Sequence, residues 1–277
     1  MIALFKRIAV LCLLSLLHFN IASGSSSRYL ELVDSVDYYI SKELWNMAEQ
    51  KIMEALRLEP ANFSNSLLLN NLGIVRSHKK EYDKAVEAYT LGISMAPSST
   101  VLYNNRARAY LMLDSVHTAL KDVDFSLSID SIQEWPLQTM GYMYLYDNDI
   151  TNAEKVFNFL KLKFPENSFA YAGLADIQER LGNRENALQL YGKSLELNPD
   201  EPEIMVSEIF LLIDLEKFSE ARSKIKRGIS LFPEDPMFYL LRGYLHRLNY
   251  RQQEAQADKK TAIDKGLDPA YVSRFIP

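Results

Sequence analysis

Small and apolar residues recur along this chain with a period far longer than one helical turn. Alanine stands at 48, 85, 119, 153, 187, 221 and 255, so the first gap is 37 residues and each later gap is 34. Twelve residues before each alanine lie Val36, Gly73, Ala107, Gly141, Ala175, Ile209 and Gly243, most of them small. Nine before lie Tyr39, Arg76, Tyr110, Tyr144, Gln178, Leu212 and His246. Four after come Ile52, Tyr89, Val123, Phe157, Tyr191, Ile225 and Lys259, all but the last apolar or aromatic. A short polar break separates the two halves of a unit, as in Leu181 to Asn186, and prolines at 60, 97, 165, 199 and 233 close units. Each unit therefore predicts a helix, a turn, a second helix and a proline-marked exit.

The spacing has a steric reason. Two helices cross closely only where side chains are small, which the Gly/Ala position on the first helix and the phase alanine on the second provide. The residue four after the alanine lies one turn along on the same face and fills the gap toward the next helix. Proline stops the second helix because it cannot continue the hydrogen-bond ladder. One such hairpin cannot bury its apolar face, whereas a stack buries a continuous core.

These residues resemble the tetratricopeptide repeat, a 34-residue helix-turn-helix unit. The resemblance covers residues 29–267, with seven units starting near Tyr29, Ser66, Thr100, Glu134, Ser168, Pro202 and Pro236. It implies an all-α fold, a right-handed α-solenoid of helix hairpins. Residues 268–277 are left as a C-terminal tail. Lys259 in place of an apolar residue, and Leu267 in place of proline, fit a terminal helix facing water.

The N-terminus has the pattern of an export signal. Lys6 and Arg7 precede an apolar run from Ile8 to Leu17, too short to span a bilayer, and Ala22 and Gly24 sit at −3 and −1 for cleavage before Ser25. Residues 1–24 are thus expected to be removed, leaving 25–28 as a short polar lead-in. This places the protein in the periplasm or outside the cell. An uncleaved N-terminal membrane anchor is the alternative. Cys12 lies inside the apolar run and follows Leu11 rather than a small residue, which argues against lipid attachment. Membrane association would then come only through an uncleaved signal or a partner.

Composition agrees with a helical array. The 277 residues include only 10 glycines and a single cysteine, and 48% are apolar. Net charge is −5, and loss of Lys6 and Arg7 leaves 29 basic against 36 acidic residues. That balance speaks against a nucleic-acid surface. The histidines beyond His18 fall in different units (His78, His117 and His246) and share no metal-ligand spacing. His246 occupies a packing position, and His78 and His117 lie near solvated turns. No phosphate loop, HExxH or GxSxG pattern occurs. No enzyme, metal, cofactor or small-molecule substrate is expected. Asn62-Phe63-Ser64 matches an N-glycosylation acceptor in the lengthened first connection.

In this family the first helices of successive units line a concave groove that binds extended peptides or partner helices. Carried onto this chain residue by residue, the groove positions include Asn70, Asn105, Arg108, Trp135, Tyr142, Tyr146, Phe169, Asp176, Phe210 and Tyr244. Large rigid aromatics are common interface anchors, although several could instead pack against neighbouring helices. With Glu179, Glu203 and Asp214, Asp176 would make the second half acidic, suiting a basic or aromatic ligand. Tyr103-Asn104-Asn105-Arg106 resembles the middle repeat of chaperone-binding members that clamp a C-terminal carboxylate. That clamp needs Lys and Asn on the preceding unit and Lys and Arg on the next. Asn70 and Ile74, then Trp135 and Thr139, stand there, which excludes it. The leading expectation is an exported scaffold that captures a protein or peptide in this groove during assembly of an envelope or secreted complex. The alternative is a structural subunit of a larger envelope machine, held through its convex face or edge.

Overall fold

The computed structural model describes residues 26–277. The expected signal, with Cys12 and His18, lies outside the described residues. Among the described residues there are fifteen helices and no strand. They fall into two compact units divided between Ile129 and Asp130. Both are runs of antiparallel helix hairpins, so the fold class is the all-α solenoid that the periodicity implies.

The first unit holds three hairpins: α1 (Ser27–Ser41) with α2 (Trp45–Leu58), α3 (Asn65–His78) with α4 (Tyr82–Met95), and α5 (Thr100–Met112) with α6 (Val116–Ile129). The second holds four: α7 (Glu134–Tyr146) with α8 (Ile150–Lys163), α9 (Ser168–Arg180) with α10 (Arg184–Leu197), α11 (Pro202–Asp214) with α12 (Phe218–Leu231), and α13 (Pro236–Leu248) with α14 (Gln252–Asp264). A short α15 (Pro269–Ser273) follows.

All seven hairpins turn in the same way. The residue five before the phase alanine is left-handed: Glu43, Lys80, Asp114, Asn148, Glu216 and Tyr250 at φ between 56° and 62°, and Gly182 at 81°. The next residue donates its N–H back to the carbonyl nine positions before the alanine. Leu44 to Tyr39, Asn183 to Gln178 and Arg251 to His246 are examples, at 2.9, 2.8 and 2.9 Å. This is the Schellman closure, which satisfies the carbonyls a helix end leaves open. The phase alanine then closes the first turn of the second helix, as Ala187 N donates to Asn183 O at 3.0 Å.

The small positions work as the spacing requires. All seven phase alanines are fully buried. The ring of Phe157 on α8 is clasped between the first helices of two consecutive hairpins. A Cβ on Gly141 of α7 would lie 2.7 Å from it, and one on Gly173 of α9 would lie 2.3 Å from it. Tyr89 on α4 fills the same place against Gly73 on α3. Burying one such ring contributes about 1.5–3 kcal/mol.

Three hairpins add a cross-helix ion pair between residues sixteen apart. Arg106 grips Asp122 through Nε (2.8 Å) and Nη2 (2.7 Å), and Arg242 grips Asp258 at 3.0 and 2.6 Å. In the α11–α12 hairpin the polarity is reversed, with Lys224 2.6 Å from buried Glu208. Burial raises the Glu208 pKa, and Lys224 only partly offsets this.

The tail segment 268–277 packs rather than trailing. Asp268 accepts the Tyr271 N–H at 2.8 Å as a helix cap, and Val272 and Ile276 are fully buried with Ala255 and Ala262 of α14. Ile276 sits where a Cβ on Gly243 would fall, 2.5 Å away, doing for the last hairpin what an eighth repeat would do. α14 buries Ala255, Asp258 and Ala262 and turns most of its other residues to water. At Asn62 the side chain is engaged, accepting the Ser64 N–H at 2.9 Å and donating to Glu59 at 2.8 Å.

Gly173→Ala should destabilise the chain by about 1–3 kcal/mol despite alanine's better helix propensity. The Phe157 ring has Gly141 behind it and cannot retreat. Adding Phe157→Leu should recover part of that loss, a coupling that thermal or urea unfolding of the two single variants and the double variant would measure.

Candidate functional site

The first helices carry the expected groove residues, and the two units treat them differently. In the first unit Asn70 on α3 and Asn105 and Arg108 on α5 form a polar ladder. Asn105 Nδ2 donates to Asn70 Oδ1 at 2.9 Å, and Arg108 Nη1 donates to Asn105 Oδ1 at 3.3 Å. His78, expected in a solvated turn, instead lies flat on Trp45, with ring centroids 4.1 Å apart and planes 8° apart. Burial lowers its pKa.

In the second unit the aromatics split between core and surface. Tyr142 packs edge-on against Phe157, 5.1 Å between centroids, so it belongs largely to the hairpin core. Phe169 packs beside Ala172, Tyr191 and Ile204. Trp135 is half-buried, and its carbonyl accepts from Thr139 Oγ1 at 2.9 Å. Tyr146 is 79% exposed at the end of α7.

Phe210 and Tyr244 line the same cleft, together with Glu179, Ser207 and Asp214 on the first helices α9 and α11; its volume is about 390 Å³. Tyr271 and Phe275 complete it. Phe275 is the hub: its ring lies 5.5 Å from Phe210, 5.4 Å from Tyr244 and 5.5 Å from Tyr271. Tyr271 and Phe275 escaped the sequence reading because they fall beyond the last repeat. The signal that could have found them is an Asp-Pro helix start followed by two aromatics four apart.

Asp176, expected to face the groove, is tied to the hairpin instead. The Tyr191 hydroxyl donates to it, and also to Glu179 Oε2 at 3.1 Å. Burial pushes the Asp176 carboxyl up to about 6, helped by the Glu179 charge and opposed by the Tyr191 hydrogen bond. Among the described residues no group of three His, Cys, Asp or Glu side chains is placed to hold a metal ion. No helix there is long and apolar enough to cross a membrane.

Residues 68–99 and 170–201 match the family model of the tetratricopeptide repeat. Over its fold the chain is similar to a tetratricopeptide repeat protein from Parabacteroides merdae, with TM-score 0.75 and 23% identity, covering 91% of this chain and 98% of that one. It is also similar to PilW, a type IV pilus biogenesis factor, with TM-score 0.63 and 16% identity over 71% of this chain and 91% of that one. Among curated proteins, sperm-associated antigen 1 of Rattus norvegicus is 28% identical over 44% of this chain, a stretch that spans only 14% of that protein. The chain thus carries tetratricopeptide repeats in a solenoid of that type.

The raised Asp176 pKa has a defined sign. An unfolded Asp titrates near pH 3.9, so between about pH 4 and 6 the folded state holds this proton more tightly. Stability contributed by the protonated form is complete below about pH 4 and lost as pH rises through 6. Asp176→Asn keeps an acceptor for Tyr191 and removes the titration. Its thermal midpoint relative to wild type should therefore climb from pH 4 to pH 7, and a constant difference across that range would contradict the assignment.

Proposed function

We propose that this chain of tetratricopeptide repeats is an exported scaffold that binds a protein or peptide partner on the face formed by its first helices, and that it serves assembly of an envelope or secreted complex. The cleft of the second unit carries this reading. There, successive first helices present rings and carboxylates side by side. Large rings with low conformational entropy, surrounded by polar groups, have the anatomy of an interaction hot spot. The charged start, apolar run and small residues of segment 1–24 support export. A type IV pilus biogenesis factor with the same fold is compatible with an assembly role. A repeat array of this kind supplies a surface for binding rather than a set of convergent catalytic groups.

One observation favours a second reading, attachment through the outer face. On the second helices of the first unit, Leu91 and Met95 of α4 and Phe125 and Ile129 of α6 are exposed at matching repeat positions. Such a stripe could hold a structural subunit in a larger machine.

Partner capture from the native host, followed by identification of what is bound, separates the two. Tyr146→Ala combined with Phe210→Ala should abolish capture in a correctly folded chain, while Leu91→Glu combined with Phe125→Glu should leave it intact. The reverse pattern would sink the groove reading and favour the outer face.

A further inference from the structure

The cleft of the second unit has a charge chemistry that narrows what it can hold. No Lys, Arg or His among the described residues lines it, although two carboxylates do. Among the described residues the Asp214 side chain makes no hydrogen bond and no ion pair. Among the same residues the Glu179 carboxylate has the Tyr191 hydroxyl alone. Ser207 does not compensate them, since its hydroxyl is turned back to the Glu203 carbonyl at 3.2 Å. Arg180 and Lys217 are committed elsewhere, Arg180 donating to Leu145 O at 2.8 Å and Lys217 pairing with Glu185 at 3.0 Å. Arg247 lies over the Tyr244 ring, 5.1 Å from its centroid, so that one ring of the cleft already carries a guanidinium, whereas Phe210 and Phe275 carry none among the described residues.

An apolar ligand would strip water from these carboxylates and give nothing back. A phosphate or an acidic peptide would be repelled. A cation would satisfy both charges, and the rings add an attraction of their own, because an aromatic face draws a cation electrostatically. A guanidinium suits such walls better than an ammonium. It is flat, weakly hydrated, able to stack on a ring and able to present paired donors to a carboxylate. At about 390 Å³ the cleft has room for one long side chain with its flanking backbone.

We propose that this cleft receives an arginine side chain of the partner, its guanidinium held between the carboxylates of Glu179 and Asp214 and against the rings of Phe210 and Phe275. The proposal rests on the reading of the first-helix face as the binding surface and specifies the partner's chemistry there. Because Phe275 comes from the C-terminal segment, that segment is part of the site and not only a cover for the last hairpin.

The test titrates N-acetyl-arginine N-methylamide into the intact, isotope-labelled chain and follows backbone amide shifts. Saturable shifts are expected at Phe210, Asp214 and Phe275. The citrulline analogue, which has the same shape without the charge, should bind at least tenfold more weakly. Glu179→Gln combined with Asp214→Asn should weaken arginine binding at least tenfold. Glu154→Gln combined with Glu166→Gln, which removes the same charge from exposed positions outside the cleft, should leave it unchanged. Equal binding of citrulline, equal weakening by the control pair, or shifts spread over the whole acidic surface would each overturn the proposal. If arginine is ignored while Tyr146→Ala with Phe210→Ala still abolishes partner capture, the arginine reading alone fails. If capture also survives those substitutions, the groove reading fails with it.

Discussion

Close approach of helices at small residues, filled from one side by a large ring, is the constraint on which this structure depends. Phe157 shows it most fully. Its ring touches Gly141 within its own hairpin and Gly173 in the next, so one side chain fixes two helix crossings at once. Interiors are packed too densely to absorb an added methyl group at such a point. The Schellman turn performs the matching task at the hairpin end: it reverses the chain in a fixed geometry and delivers the phase alanine to the crossing. Within each unit these bring one first helix alongside the next, and only that adjacency lets Asn70 meet Asn105, or Phe210 and Tyr244 share Phe275.

Much of the fold was legible because it imposes demands on residue identity. A crossing closed by a fully buried alanine in all seven hairpins writes that residue into the chain at a fixed interval. The turn imposes no such demand. Glu, Lys, Asp, Asn, Gly and Tyr all serve at its left-handed position, since the two flanking backbone bonds hold the conformation whatever the side chain. The cross-helix ion pairs were hidden for a related reason: Arg106–Asp122 and Glu208–Lys224 occupy equivalent positions with opposite polarity, so no single residue type repeats.

The candidate site was legible only in part. Phase put Phe210 and Tyr244 on successive first helices, and both rings pack against Phe275. Phase could not tell Tyr142, whose ring turns into the hairpin against Phe157, from Tyr146, whose ring stands in solvent. Nor could it show that Tyr191 would draw Asp176 away from the groove. The aromatic hub of the cleft, Phe275, lies outside the period altogether, in a segment whose buried Val272 and Ile276 give the last hairpin the cover that a further repeat would supply. The cover over α13 and α14 and the edge of the site are thus made by the same nine residues, 269–277.

If ring-in-crossing packing is what holds consecutive hairpins together, its loss should be felt locally and fade with distance along the unit. Native-state hydrogen exchange on Phe157→Ala measures this most directly. Protection should fall sharply in α7 to α10 and stay close to wild type in α13 and α14. A uniform loss of protection through residues 130–277 would contradict the account, because the unit would then be held by its core as a whole and not by its successive crossings.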